Sequence, residues 1–132
     1  MEKILKSIGI SERTIGQMIE ICPNLENLKE EEILEHIEIL KSIGCNEIQI
    51  RNIISSNALY LDRTKTDIKK LIKKMEELGF NTLDILFDGN PYILNIDDYE
   101  LDKYIKGREE KGEKKEDIID ELSSNLYLFE EI

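Results

Sequence analysis

Tryptophan and valine are absent from the 132 residues, alanine occurs once, proline and cysteine twice each, and histidine once. Eight aromatic rings leave little for a platform on which nucleic-acid bases could stack. His36 alone would have to serve every histidine-dependent catalytic arrangement, and neither a Ser–His–Asp nor a Cys–His constellation has support around it. Cys22 and Cys45 form no C-x-x-C, so they suit neither a disulfide framework nor a zinc ribbon and read as reduced packing residues. The seven glycines make neither a P-loop nor a G-x-G-x-x-G turn. Apolar runs stop far short of the roughly 18 residues a membrane span needs. Met1-Glu2-Lys3 and the short, lysine-interrupted stretch up to Ile10 do not read as a targeting signal, so the cytoplasm is the expected location. Positive charge is also short. Against 29 Asp+Glu there are 18 Lys+Arg, giving a net charge of -11 and a pI near 4.6. Such a surface repels phosphate and anionic lipid as a whole, so a nucleic-acid role needs a segregated basic face.

What the chain does have is a repeat. Leu5-Lys6-Ser7-Ile8 recurs as Leu40-Lys41-Ser42-Ile43, each run followed by glycine, at a period of 35. The same register marks glycines at Gly9, Gly44, Gly79 and Gly112, and a second mark at Pro23, Ala58, Pro91 and Leu126. From each second mark to the next glycine is 21 residues, so the 33-residue third unit carries a two-residue deletion between Gly79 and Pro91.

In the first three units the glycine is followed by an apolar residue (Ile10, Cys45, Phe80) and then a small polar one (Ser11, Asn46, Asn81), the chemistry that caps a helix start. Asn46 with Gln49 fits a capping box. The helix that follows, helix A, keeps Ile15, Met18 and Ile19 in one unit and Ile50, Ile53 and Ile54 in the next on one buried face. The second mark opens a tight turn or short 3₁₀ piece. Helix B then starts with acids in its first turn, buries Ile33, Ile37 and Leu40 or Ile68, Leu71, Ile72 and Met75, and closes on the next glycine in a left-handed conformation. In the third unit the matching positions are Leu101, Tyr104, Ile105 and Arg108. Such short helix pairs cannot bury their apolar faces alone and must stack on their neighbours. The expected fold is an all-α solenoid, of either hand, with about 3.5 helix–turn–helix repeats in a single domain spanning 1–132. Leu128 and Phe129, in the last turn, have no following unit to cover them, so this end is expected to pack back on the domain or against a second copy.

The order of leucine or isoleucine, glycine, apolar residue, small polar residue, isoleucine-rich helix, Pro-x-apolar-apolar and second helix resembles the repeat of the mitochondrial transcription termination factor (mTERF) family. The resemblance covers essentially the whole chain, with Ala58 and Leu126 standing where the family's proline is expected. It implies two helices and a 3₁₀ turn per unit, and nucleic-acid binding through a basic concave face. The acidic charge and the short length point instead to a prokaryotic or mobile-element relative.

Among the residues that could carry chemistry, His36 matches Leu71 and Tyr104 in the register and reads as a partly buried structural residue. The acids Asp88, Asp97, Asp98, Glu100 and Asp102 lack the order of a calcium loop and read as helix-start and solvated residues. Lys69, Lys70, Lys73 and Lys74 share one side of the second helix B, and Lys103 and Lys106 fall at the positions of Lys70 and Lys73 one unit later, with Arg108 and Lys111 extending the run. These six lysines form the candidate nucleic-acid patch; Tyr60, Tyr92 and Phe129 are the candidate protein contacts. No catalytic, metal or cofactor site is expected. The charge balance favours a non-enzymatic module with a protein partner or a second copy of itself as ligand. Nucleic acid is the alternative, and neither a membrane nor a small-molecule substrate is expected.

Overall fold

In the computed structural model, which describes all residues from Met1 to Ile132, the chain folds into nine α-helices and three 3₁₀ segments with no strand. They group into two compact units, Met1–Lys65 and Thr66–Ile132. The first contains α1 (Glu2–Ser7), α2 (Glu12–Ile21), a 3₁₀ segment Pro23–Asn27, α3 (Glu30–Ser42), α4 (Glu47–Ser56) and α5 (Leu59–Asp62). The second holds α6 (Lys65–Leu78), whose first residue closes the first unit, then α7 (Leu83–Gly89), a 3₁₀ segment Pro91–Asn95, α8 (Asp98–Glu110), α9 (Lys115–Ser124) and a 3₁₀ segment Leu126–Glu131.

The glycine marks end α1, α3, α6 and α8 at φ of 96°, 98°, 99° and 95°. An L side chain is disfavoured in that left-handed region, which is why one residue type recurs there. Ser11 caps α2 by accepting from the Thr14 N–H, and Asn46 and Gln49 close a capping box on α4. The third unit departs from the pattern. The two-residue deletion shortens α7 to seven residues and moves its cap from the expected Asn81 to Thr82, held at φ 53°. A β-branched residue in that region is strained. Asp97 and Glu100 form a second capping box, on α8.

Proline decides the turn geometry in part. Pro23 and Pro91 open 3₁₀ segments, whereas the unit with Ala58 makes a single α-turn instead; Leu126 opens a 3₁₀ segment without proline. The turns are tied sideways within each unit. Asn24 Nδ2 donates to Asp62 Oδ1 at 2.6 Å in the first, and Asn90 Nδ2 donates to the Leu126 carbonyl at 2.9 Å in the second. Gly89 permits this second approach, since a Cβ there would sit 2.5 Å from Leu126 Cδ1.

The core follows the expected stripes: Ile15, Met18, Ile33, Leu40, Ile53 and Ile54 in one unit, and Ile68, Leu71, Met75, Leu101, Ile105 and Ile118 in the other, are all buried. Two candidate contact residues belong to that core and offer no surface to a partner. Tyr60 is fully buried, with its hydroxyl donating to the His36 carbonyl at 2.6 Å. Phe129 is fully buried and packs on Phe80 with ring centroids 5.8 Å apart, so the last turn folds back on its own unit. Tyr92 is the exposed member of the three.

Candidate nucleic-acid interface

Helix α6 presents its lysines by simple periodicity. Ile68, Leu71, Ile72 and Met75 turn inward, which leaves Lys69, Lys70 and Lys73 fully outward and Lys74 half-buried at the edge of the stripe. On α8 the buried pair Leu101 and Ile105 likewise leaves Lys103 and Lys106 exposed.

An acid from α8 divides this set. Asp102 takes Lys106 at 2.7 Å and Lys74 at 3.7 Å, one lysine on each of its oxygens. The hydrogen bond from Lys106, helped by Lys74, holds the Asp102 carboxyl below the usual aspartate range, and Lys106 is raised in turn. Lys74 thereby bridges α6 to α8 through Asp102, while Lys106 pairs with the same acid within α8. Lys70, Lys73 and Lys74 flank a shallow hollow of about 290 Å³ that also contains Glu77 and Asp98. Lys103 turns to the other side of α8, into an open groove of about 550 Å³ shared with Tyr99, Tyr104, Gly107 and Lys111. The six lysines are thus divided: Lys69, Lys70 and Lys73 stand outward on α6, Lys74 and Lys106 pair with Asp102, and Lys103 faces the groove that Lys111, just past α8, also lines.

Arg108 does not extend the run. Its guanidinium grips Glu113 through two nitrogens, at 2.8 and 2.5 Å, reaches Glu121 at 2.6 Å and lies against the Tyr104 ring. These partners raise the guanidinium and depress Glu113, and they leave the Arg108 side chain only 15% exposed, a clasp from α8 to the loop and α9. Lys65, just upstream of the patch, is paired with Glu35 at 2.6 Å. The groove on α8 was not anticipated in the sequence, although Tyr99, Lys103, Gly107 and Lys111 recur at four-residue intervals, the spacing of one helix face.

His36 is 4% exposed, with Nδ1 2.6 Å from the Glu32 carbonyl and Nε2 2.6 Å from the Arg63 carbonyl. It ties α3 to the residue that follows α5. Of the acids singled out around α8, Asp97 and Glu100 form its capping box and Asp102 pairs with lysines, and no group of three His, Cys, Asp or Glu side chains is placed to hold a metal ion.

The left-handed glycines, the paired helices and the proline turns recur as the repeat unit requires, and the mTERF family model matches residues 2–120. The chain belongs to the mTERF family. No curated protein and no solved structure matches it. The mTERF assignment makes this a helical-repeat chain of a macromolecule-binding family, commonly one that binds nucleic acid. No helix of this mTERF chain is long and apolar enough to cross a membrane.

Proposed function

We propose that the chain is a non-enzymatic module that binds nucleic acid through Lys69, Lys70 and Lys73 of α6, with Lys103 on α8 as a lateral contact. The observation that carries this is the division of labour among the lysines. Asp102 fixes Lys74 and Lys106 in place, whereas Lys69, Lys70, Lys73 and Lys103 stand outward with no acid partner. Unpaired surface lysines release counterions from a phosphate backbone and give an affinity that falls steeply with salt. Family membership supports the same reading and shifts the weight away from the protein partner that overall charge favours. The module would act in the cytoplasm and use no cofactor.

Fluorescence anisotropy of labelled single- and double-stranded DNA and RNA, titrated at several salt concentrations, tests it. Micromolar binding that weakens with salt is expected, and Lys70→Glu with Lys73→Glu should abolish it or lower the salt slope by about one per lost phosphate contact. No binding at low salt, where attraction is strongest, overturns the reading.

A further inference from the structure

Three charged side chains of both signs line one hollow in the first unit and none of them pairs. The hollow, of about 310 Å³, opens between the corner after α1, the last turns of α3 and the first turns of α4, and its charges are Lys41, Glu47 and Arg51. Glu47 and Arg51 stand four residues apart on α4, the spacing at which a glutamate and an arginine ordinarily join. Here they stay apart. Lys41 also leaves Glu47 alone, although Lys6 and Glu12, in the same repeat positions one unit earlier, meet at 2.6 Å. Arg51 turns instead to Gly9, where a Cβ would lie 3.1 Å from both its Cδ and its Nη1. The missing side chain seats the arginine half-buried against the corner, with no hydrogen-bond or ion-pair partner for its guanidinium. A cation partly withdrawn from water in this way costs free energy until an anion reaches it.

The lining says what the hollow accepts. Arg51 offers a planar fork of donors and Lys41 a point charge, a set suited to a carboxylate. Glu47 calls for a cation on the same ligand, and it would meet a phosphate dianion as a like charge. The rest of the wall is largely aliphatic: Ile37 and Ile50 are 5% and 2% exposed and Ile8 is half-buried. No aromatic ring lines the hollow, so a nucleotide base has nothing to stack on. Its volume is near the lower limit of ligand pockets, which start at roughly 300 Å³. The combination is not a by-product of the repeat. Three residues before the next glycine mark Lys41 gives way to Glu76, seven before the next second mark Arg51 gives way to Asp84, and in the preceding unit Gly16 stands at the position of Arg51.

We infer that this hollow binds a free α-amino acid with an aliphatic side chain. The ligand's carboxylate takes the Arg51 fork and the Lys41 ammonium, its own ammonium donates to the Glu47 carboxylate, and its side chain lies on Ile8, Ile37 and Ile50. The site belongs to the first unit and is independent of the lysine strip on α6.

A nuclear magnetic resonance titration of the full chain with L-leucine tests it, with glycine, isovalerate and isoamylamine as probes that lack the side chain, the ammonium and the carboxylate in turn. L-leucine should bind with a Kd of about 0.1–1 mM and each of the other three at least about tenfold more weakly. Arg51→Gln and Lys41→Gln should each weaken leucine about tenfold or more. Glu47→Gln should weaken leucine about tenfold yet tighten isovalerate, a change of sign that a merely structural role for Glu47 would not produce. Lys41 and Glu47 are exposed, so their variants should keep the melting temperature and carry the test even where Arg51→Gln unfolds the chain. Lys70→Glu with Lys73→Glu should leave leucine binding unchanged, so failure here and failure of the nucleic-acid reading are separate results. The absence of any saturable shift with leucine overturns the proposal. So does isovalerate or inorganic phosphate binding as tightly as leucine, which would mean a bare anion site, or a Glu47→Gln variant that keeps the full affinity for leucine.

Discussion

At the scale of single residues, the contact between Tyr60 and His36 shows how the fold uses its few polar core groups. The Tyr60 ring meets His36 edge-on at 5.3 Å, and its hydroxyl satisfies the His36 carbonyl. Burial pushes the phenol well above its ordinary value, so it remains a donor at any physiological pH. Removing the hydroxyl alone should cost about 1 kcal/mol, and removing the ring about 3–5 kcal/mol through the cavity left behind. Chemical denaturation of Tyr60→Phe and Tyr60→Ala separates the two. In the sequence, Tyr60 looks like a surface tyrosine because only its burial, set by distant packing, distinguishes it from Tyr92. Phe129 misleads for the same reason, its partner Phe80 being 49 positions away.

At the scale of elements, Asp102 is the bolt between α6 and α8. Its folded-state value lies below its unfolded one, so the stability it contributes is present above about pH 4, the ordinary aspartate range, and is lost as pH falls through the depressed value. Asp102→Asn should therefore narrow the gap in melting temperature between pH 7 and pH 3, measured by circular dichroism. An unchanged gap would mean that the bridge is too well solvated to matter. Helix order, glycine corners and two of the caps were readable along the chain because each rests on local chemistry within a few residues. The lysine patch was readable only in part. Register brings equivalent positions side by side, but not the acid at Asp102 that splits them, nor the turn of Lys103 to the far side of α8. The cap of α7 was missed because a deletion leaves the polar pattern intact while moving the helix start.

At the scale of the whole molecule, the acidic excess is uneven: the first unit has 11 Asp+Glu against 8 Lys+Arg, while the second combines the lysine strip with the other 18 acids. A single domain over 1–132 is our proposal for the folding unit. It predicts one calorimetric transition with equal calorimetric and van't Hoff enthalpies, and two separate transitions would refute it. The four glycine corners carry a stereochemical consequence. Backbones at φ between 95° and 99° suit the mirror-image residue better than any natural side chain, so D-alanine introduced at Gly79 or Gly112 by chemical synthesis fits without strain. Each such replacement should raise stability by up to about 1 kcal/mol by stiffening the unfolded chain, where L-alanine would lower it. Handedness is thus written into this protein four times, at the only residues that have none of their own.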